Sequence, residues 1–406
     1  MGSHLHAILT AIDAGCAKTC VVVAEAAETG LRYRSHGLAE SHGSRKGVIV
    51  DLEQAAASVR HAVEMAERAG AVNLESAFLG TAGAHIRGVN SQGGIFLGAY
   101  AREVQRADVR AAAERARTIT LPAGREVLHL LPQQYIVDEQ PGIQDPEGMV
   151  ASRLEVKVHM VTALASAVQN AVTVVNRAGL EVEDKIFEPL AAADAVLRAE
   201  ERELGTCLID VGAGSTDLIV LHHGAVVHSG SIPVGGDHFT YDIAMGLQTP
   251  AVEAEKLKRM FGCAIVVRVP SCNEVEIPSP CDRPSRLVPQ RMLAEILEPR
   301  ARELFDLVAR HLRMAGLLDL CAAGAVLCGG GARLVSIREV AEDALRCPVR
   351  LGYPVPLPGM PAALCEPEFA CALGMLYYGA RARAARGARP PALRERIRSL
   401  LAFTSQ

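Results

Sequence analysis

Two short stretches of the chain repeat one pattern of acidic, glycine and hydroxyl residues. LIDVGAGSTDLIVL spans residues 208 to 221, and AILTAIDAGCAKTCVVV spans residues 7 to 23. Aligned on their aspartates, the first stretch supplies Asp210, Gly212, Thr216 and Val220, and the second supplies Asp13, Gly15, Thr19 and Val23. Apolar runs on both sides of a glycine turn predict a strand, a tight turn and a second strand. The repeat therefore suggests two α/β halves related by duplication.

The residue types in these turns point to phosphate and cation chemistry. Glycine lets backbone N–H groups approach an anion closely, and Ser215 and Thr216 add hydroxyl donors. A carboxylate beside a phosphate requires a cation between them, so Asp13 and Asp210 are expected to hold Mg²⁺, largely through its water shell. Two such turns facing each other would clamp a nucleotide tail. The alternative is a pair of ordinary β-hairpins with polar tips.

Two further segments could belong to the same site. Gly329, Gly330 and Gly331 follow the apolar strand AVLC and leave a flat surface for a base or a ribose. Glu188 precedes Pro189 at the predicted start of a helix. An acid there could stabilise the helix N-terminus, or it could orient a water for attack on a terminal phosphate.

Composition excludes several classes of protein. The chain has 406 residues, half of them hydrophobic, and a net charge of -4, which argues against general nucleic-acid binding. Its eleven cysteines form no CxxC pair, and its thirteen histidines have no metal-binding spacing. We expect no signal peptide and no membrane span, because no basic region followed by an apolar stretch begins the chain and no apolar run is long enough.

Periodicity gives the order of the elements. It predicts helices at residues 53–70, 162–178, 189–203 and 291–313, and strands at 75–81, 182–187 and 325–328. Residues 84–160 change character and predict an inserted α+β module, and residues 234–300 form a second polar, proline-rich module. The body is expected to end near Gly379, followed by flexible sequence rich in Arg and Ala.

The motifs, taken together in this order, resemble those of one superfamily. DAGCAKT, FEPLAAADAV, DVGAGSTD, LCGGGARL and EPEFACALGML are similar to the phosphate 1, connect 1, phosphate 2, adenosine and connect 2 motifs of the actin/Hsp70/sugar-kinase superfamily. Residues 203 to 262, together with LGTAGAHIRGVNSQG and REVLHLLPQQYIVDEQPGIQDPEGMVASRLEVKVHMVT, narrow the resemblance to the bacterial cell-division FtsA family. It covers nearly the whole chain.

This resemblance implies a duplicated actin-like (RNase H-like) ATPase fold, α/β in class, with an inserted α+β domain called 1C. The implied domains are 1A (1–83 with 162–194 and 365–387), 1C (84–161), 2A (195–233 with 299–364), 2B (234–298) and a C-terminal amphipathic membrane-targeting helix (388–406).

The resemblance also implies a function. An ATP-binding protein is expected to polymerise on the cytoplasmic face of the inner membrane at the division site, as a peripheral protein. It would tether the FtsZ ring through the C-terminal peptide of FtsZ and recruit later divisome proteins through domain 1C. The cofactors would be ATP and Mg²⁺, and no nucleic acid is expected as a partner.

Motif matching assigns roles to single residues. The implied nucleotide-binding residues are Gly15, Lys18, Gly212, Gly214, Ser215, Thr216, Glu253, Lys256, Gly329, Gly330 and Gly331. Asp13 and Asp210 would hold Mg²⁺, and Glu188 takes the position that orients water. The resemblance places the contact with the acidic FtsZ peptide in domain 2B, and the candidate partners are Arg286, Arg291 and Arg300.

The first turn departs from the family pattern. Cys16 and Ala17 stand where hydroxyl residues are usual, so two phosphate donors are missing, each contributing about 1 kcal/mol. Lys18 could compensate. We therefore expect ATP to bind and hydrolysis to be slow at most.

The C-terminal tail concentrates positive charge. Residues 380–406 contain seven Arg and one Glu, which gives a side-chain charge of +6 and leaves -10 for the rest of the chain. The residues expected at an anionic membrane are Leu393, Ile397, Leu400, Leu401 and Phe403 on the apolar face, with Arg394, Arg396 and Arg398 beside it. The alternative is a terminal helix packed on the protein's own core.

Two other functions compete with this interpretation. An enzyme of the same superfamily, such as a sugar kinase or a phosphatase, would need a substrate pocket and a catalytic base, for which the sequence offers no candidate. An actin-like adaptor of pilus assembly, similar to PilM, would dock on a peptide of a membrane protein. A lipid-binding tail has no role in either.

Deleting the tail tests this prediction directly. Sedimentation with anionic liposomes and ATP should pellet the full chain and leave a chain ending at Arg389 in the supernatant, because the apolar stripe and its arginines are removed together. One tail binds weakly and many tails on a filament bind by avidity, so pelleting should rise steeply with protein concentration. If both chains stay in the supernatant, the tail is no membrane anchor.

Overall fold

The computed structural model describes residues 7–27, 30–279 and 284–387, so the predicted membrane helix lies outside the described residues. In chain order the strands are β1 (Ala7–Ala14), β2 (Lys18–Ala27), β3 (Gly30–Glu40), β4 (Ser44–Arg45), β5 (Val48–Ile49), β6 (Ser76–Thr81), β7 (Arg87–Phe96), β8 (Arg102–Glu103), β9 (Arg125–Val137), β10 (Gln140–Ile143), β11 (Val150–Ala151), β12 (Arg153–Leu164), β13 (Glu181–Phe187), β14 (Thr206–Val211), β15 (Thr216–His222), β16 (Ala225–Ile232), β17 (Glu274–Ile277), β18 (Arg286–Pro289), β19 (Ala325–Cys328) and β20 (Val349–Leu351).

The helices separate these strands into units. They are α1 (Leu52–Gly70), α2 (Arg106–Arg117), α3 (Ala165–Arg177), α4 (Glu188–Val196), α5 (Ala199–Leu204), α6 (Gly236–Gly246), α7 (Ala251–Phe261), α8 (Arg291–Met314), α9 (Ile337–Leu345) and α10 (Ala370–Gly387). Their ends follow local rules: Asp51 caps α1 by accepting from the N–H groups of Glu53 and Gln54.

Two five-stranded sheets share one topology. The first has the order β13-β6-β1-β2-β3 and the second the order β20-β19-β14-β15-β16. In each, the first strand of the repeated motif pairs antiparallel with the next strand and parallel with a later one. The matching topology confirms the predicted duplication, which a short sequence match alone could not establish.

The two sheets enclose α4 and α10 between them. One hydrophobic core contains Leu9 and Phe187 of the first half together with Leu208 and Val326 of the second. The two helices touch closely, because a Cβ on Gly374 of α10 would lie 1.8 Å from the carbonyl oxygen of Ala191 in α4. These helices therefore fix the distance between the halves.

The inserted module forms its own sheet and packs on the second half. Its order is β10-β9-β12-β7, and α2 covers one face, where a Cβ on Gly93 would lie 2.1 Å from the backbone nitrogen of Ala116. His159 of β12 contacts Ser229 of β16, with 2.8 Å between Nε2 and Oγ. Gln133 of β9 donates to the carbonyl oxygen of Val226.

Three predicted boundaries were wrong. The strand β12 continues to Leu164, so α3 begins later than residue 162. The predicted helix 189–203 is broken between α4 and α5, where Leu197 turns to an extended conformation. The body does not end near Gly379, because α10 runs to Gly387 and ion pairs join Arg381 to Asp194 and Arg383 to Glu183. Two of the arginines assigned to a flexible linker thus bind the body.

Within the ranges that the structure describes, no helix combines the length and the apolar character that a membrane crossing requires.

Candidate nucleotide-binding site

The two glycine turns lie around one pocket with a cavity volume of about 110 Å³. The predicted site residues that line it are Gly15, Glu188, Asp210, Gly212, Gly214 and Ser215. Asp13 and Asp210 are the next-to-last residues of β1 and β14. Each turn therefore lies at the carboxyl-end edge of its sheet, where β1 and β14 pair with the parallel strands β6 and β19. Ligands of α/β folds bind at this edge, beyond the carboxyl ends of the strands.

The second turn is held in a fixed shape. The N–H of Gly212 donates to the carbonyl oxygen of Ser215 at 3.0 Å, and the N–H groups of Gly236 and Asp237 donate to the carbonyl oxygens of Gly212 and Ala213. Within the described part of the chain, the N–H groups of Ala213 and Gly214 have no acceptor. They are available to an anion in the pocket.

Glycines bring three loops together at the pocket's rim. A Cβ on Gly214 would lie 2.8 Å from the nitrogen of Gly47 and 2.9 Å from the sulfur of Cys16. The N–H of Gly47 in turn donates to that sulfur at 3.1 Å. No side chain other than hydrogen fits at Gly214, so the turn of the second half touches both loops of the first.

Buried carboxylates dominate the electrostatics of the site. Burial raises the pKa of Asp13 to about 6, against a lowering by Lys18 and a further rise from Glu368. Burial raises the pKa of Asp210 to about 7, although a hydrogen bond from Cys371 opposes the rise. Burial, with the charges of Asp13, Asp210 and Asp217, raises the pKa of Glu188 well above its usual value. Such a group of acids favours a bound cation.

Three residues place possible cation ligands close together. The ligand atoms of Glu188, Asp210 and Cys371 all lie within 4.8 Å of one another. Cys371 donates from its sulfur to Oδ2 of Asp210 at 3.1 Å, and Gly329 makes room for Oδ1 of that aspartate. Asp13 lies close enough to influence the pKa of Glu188 but is outside this group. Cys371 was not predicted as a cation neighbour.

Lys18 already has partners. Its ammonium lies 2.9 Å from Oε2 of Glu368 and 3.6 Å from the ring centroid of Phe369. Arg333, in the glycine-rich segment of the second half, pairs with the same glutamate. Glu368 therefore links the two halves beside the site, and a phosphate would compete with it for Lys18.

The two predicted hydroxyl donors are also engaged. Thr216 is fully buried and donates to the carbonyl oxygen of Val234 at 2.8 Å. Ser215 donates to Oδ2 of Asp217 at 2.7 Å. Backbone N–H groups are therefore the free donors of this turn, and Thr216 fixes its shape.

The glycine-rich segment borders a second, open pocket of about 520 Å³, lined by residues 332–339, Arg350, Leu351 and Tyr353. Gly330 has open space where a Cβ would stand. Glu253 and Lys256 pair with each other on α7 at 2.7 Å and line neither of these two pockets.

Comparison with known proteins identifies the family. The family model described as Cell division protein FtsA matches residues 207–374, and the model described as SHS2 domain inserted in FTSA matches residues 83–162. Cell division protein FtsA of Pseudomonas aeruginosa is 40% identical over 373 residues, which cover 92% of this chain and 89% of that protein. The chain belongs to the FtsA family. FtsA of Escherichia coli K12 is 34% identical over 380 residues, covering 92% and 90% of the two chains.

Solved structures agree on the fold. A chain of the PilM-PilN type IV pilus biogenesis complex superposes with a TM-score of 0.65 at 17% identity, covering 91% of this chain and 98% of its own. MreB5 of Spiroplasma citri bound to ADP gives a TM-score of 0.56 at 16% identity, covering 94% and 99%. This FtsA family member therefore has the duplicated actin-like fold with an inserted α+β domain, as the motifs predicted.

Among the pocket-lining residues that sequence reasoning did not assign to the site are Cys16, Thr81, His85 and Asp217. Cys16 was noted only as a departure from the pattern, and Asp217 only as the second aspartate of the opening motif. Thr81 and His85 lie in LGTAGAH, after a predicted strand, and a polar residue at a strand's carboxyl end was the signal that could have indicated them.

The three arginines predicted to bind an acidic peptide have partners within the chain. Arg300 pairs with Asp242 at 2.6 Å, and Arg291 pairs with Glu295 one helical turn away at 3.3 Å. Arg286 donates to the carbonyl oxygen of Leu247. Arg291 is the most readily released of these, because exposed pairs within a helix contribute little.

We predict that Asp210→Asn stabilises the cation-free protein at alkaline pH. The folded state holds a proton on Asp210 up to about pH 7, whereas the unfolded chain releases it near pH 4. Wild-type stability is thus lost as pH rises through this window, and the asparagine removes that loss. In EDTA, urea unfolding should show a gain in the free energy of unfolding on the order of 1 to 3 kcal/mol at pH 8 and a smaller gain, below about 1 kcal/mol, at pH 4.5.

Asp319→Asn, at an exposed position, is the control and should leave the free energy of unfolding unchanged at both pH values. An equal effect of Asp210→Asn at both pH values would contradict the burial argument.

Proposed function

We propose that this FtsA family member binds ATP with Mg²⁺ between its two glycine turns and uses the bound state to assemble on the membrane and tether the FtsZ ring. The observation that carries the proposal is the pocket itself, where free backbone N–H groups and buried carboxylates converge from both halves of the fold. An anion and a cation must be bound together to satisfy both sets of groups, and Mg–ATP supplies both.

The phosphates would lie between the turns. Gly15 of the first turn and Gly212 and Gly214 of the second offer backbone N–H groups or room for close approach. Ser215 can turn its hydroxyl to a phosphate only by leaving Asp217. Lys18 would have to leave Glu368 in the same way, which would couple phosphate binding to the contact between the halves.

Asp210 and Glu188 would hold the cation, with Asp13 and the sulfur of Cys371 beside it. A divalent ion at this point offsets the mutual repulsion of the carboxylates and restores their charged forms. The chemistry that Mg²⁺ supplies is neutralisation of the phosphate charge.

The base and ribose would lie over Gly329, Gly330 and Gly331, toward the open pocket. Arg333 then becomes a candidate for contact with the base, since it borders both the glycines and that pocket. Glu253 and Lys256 could reach a ribose only by a movement of α7 toward the cleft.

Hydrolysis would be slow. Glu188 lines the pocket and is the group placed to orient a water, but its raised pKa favours the protonated form until a cation binds. The first turn also lacks hydroxyl donors at Cys16 and Ala17. A bound ATP that persists suits a protein whose assembly, and not its turnover, is the function.

Assembly and attachment complete the proposal. Copies of the chain would polymerise on the cytoplasmic face of the inner membrane, held by the basic amphipathic tail. The module of residues 234–298 would bind the C-terminal peptide of FtsZ, and the inserted domain would recruit later division proteins.

Cys16→Ser should strengthen ATP binding about fivefold. The serine oxygen can accept from the N–H of Gly47, as the sulfur does, and its hydroxyl adds a phosphate donor worth about 1 kcal/mol. Titration calorimetry with Mg–ATP measures the change, and Cys272→Ser, at an exposed position away from the pocket, is the control. A wild-type protein with no affinity for ATP would overturn the proposed function.

FtsZ recruitment tests the tether. FtsZ should pellet with anionic liposomes in the presence of the full chain and remain soluble with the chain ending at Arg389. The charge reversals Arg286→Glu and Arg291→Glu should lower the pelleted fraction of FtsZ severalfold without lowering the pelleted fraction of this chain. Arg313→Glu, exposed at the far end of α8, serves as the matched control. Unchanged recruitment by the double variant would exclude these arginines from the FtsZ contact.

A further inference from the structure

Two buried polar side chains in the pocket have no hydrogen-bond partner within the described part of the chain. They are Thr81, whose Oγ1 is unpaired and whose residue is 5% exposed, and His85, whose two ring nitrogens are unpaired and whose residue is 8% exposed. Both line the cavity between the glycine turns. The roles assigned above use neither of them.

Leaving such groups unpaired is unfavourable. A buried donor or acceptor without a partner costs about 1 to 3 kcal/mol, and three such atoms lie within five residues of each other. The nearby polar groups do pair: the N–H of Gly83, between the two residues, donates to Oδ1 of Asp217 at 3.1 Å. A polar occupant of the cavity would supply the missing partners.

The position of Thr81 indicates which part of a nucleotide it would meet. Thr81 ends β6 and lies directly opposite Phe187 of β13, the residue before Glu188. Its neighbour Gly80 lies against Glu188, since a Cβ there would be 2.7 Å from Oε1. Thr81 therefore stands beside the carboxylate proposed to orient the attacking water, which is the terminal-phosphate end of the site.

His85 has the charge environment that an anion requires. The Arg125 guanidinium lies near it, and burial together with that positive charge lowers the pKa of His85 from its usual value. The neutral imidazole carries one N–H donor, and the guanidinium adds positive potential without itself lining the cavity.

We propose that Thr81 and His85 contact the terminal phosphate of ATP, or the water bound to it, and make the pocket discriminate triphosphate from diphosphate. The proposal rests on ATP binding at this site. The Thr81 hydroxyl and the His85 N–H donate to oxygens of that phosphate. A diphosphate leaves both groups unpaired, so these hydrogen bonds contribute to the affinity for ATP and not to the affinity for ADP.

His85 also joins the pocket to the inserted domain. Its carbonyl oxygen accepts from Nη2 of Arg125 at 2.9 Å, and the same nitrogen donates to the carbonyl oxygen of Thr162 at 2.8 Å. Arg125 begins β9 and Thr162 lies near the end of β12, at the base of the inserted sheet. A residue that senses the third phosphate is thus one hydrogen bond from the domain proposed to recruit partners.

The test compares the affinities for Mg–ATP and Mg–ADP by titration calorimetry. Thr81→Val and His85→Leu should each lower ATP affinity about tenfold, the loss expected for one hydrogen bond to a charged group, and change ADP affinity less than twofold. His85→Gln, which restores a donor, should recover part of the ATP affinity. Thr206→Val and His159→Leu are the controls, because they remove buried side chains whose polar atoms are paired away from the pocket. Both should leave the ratio of ATP affinity to ADP affinity unchanged.

Thermal unfolding without nucleotide separates a ligand contact from a structural role. Because the two groups are unpaired in the folded chain, Thr81→Val and His85→Leu should not lower the unfolding temperature, whereas the two control variants should lower it. If wild type binds ATP and both variants keep its ratio of ATP to ADP affinity, the inference is wrong and the proposed function stands. If wild type binds neither nucleotide, the proposed function fails and the inference with it.

Discussion

Acidic side chains that must be buried at one point constrain the whole molecule. Asp13 and Asp210 lie one residue before the ends of β1 and β14, in two separate sheets, and Glu188 begins the helix α4 between those sheets. Asp13 and Asp210 are buried and Glu188 is half-buried, and this desolvation raises the pKa values of all three. The carboxylates are thus costly to ionise at the centre of the fold, and a cation bound there, as proposed above, would lower that cost.

Close packing transmits this constraint outward. Gly374 lets α10 lie against the backbone of α4, and Gly214 lets the second turn touch the loop at Gly47. A contact made through backbone atoms has no flexible side chain to absorb a displacement. These backbone contacts therefore fix how closely α10 approaches α4 and how closely the second turn approaches the loop at Gly47.

Ion pairs place further limits on the cleft. Glu368 holds Lys18 of the first half and Arg333 of the second, while Arg381 and Arg383 fasten the end of α10 to the body. The inserted sheet adds a polar contact of its own through His159 and Ser229. Each of these contacts joins segments that are separate in the sequence, so these charged and polar groups add to the hydrophobic core that the two halves share. A nucleotide that recruits Lys18 would alter one of them directly.

The sequence by itself determined the repeated turns, the order of the motifs and the presence of an inserted module, because glycine spacing, acidic residues at strand ends and apolar periodicity are local properties. It placed Gly15, Gly212, Gly214, Ser215, Asp210 and Glu188 in one site, and the structure brings these residues together. It failed where partners are distant. Four features depend on segments that are separate in the sequence, by up to hundreds of residues. They are the ion pair of Lys18 with Glu368, the hydrogen bond from Thr216 to Val234, the helical conformation of residues 380–387, and the contact of Cys371 with Asp210. Thr81 and His85 carry no sequence signal of being unpaired, since a missing hydrogen bond exists only once the surrounding chain has been folded around it.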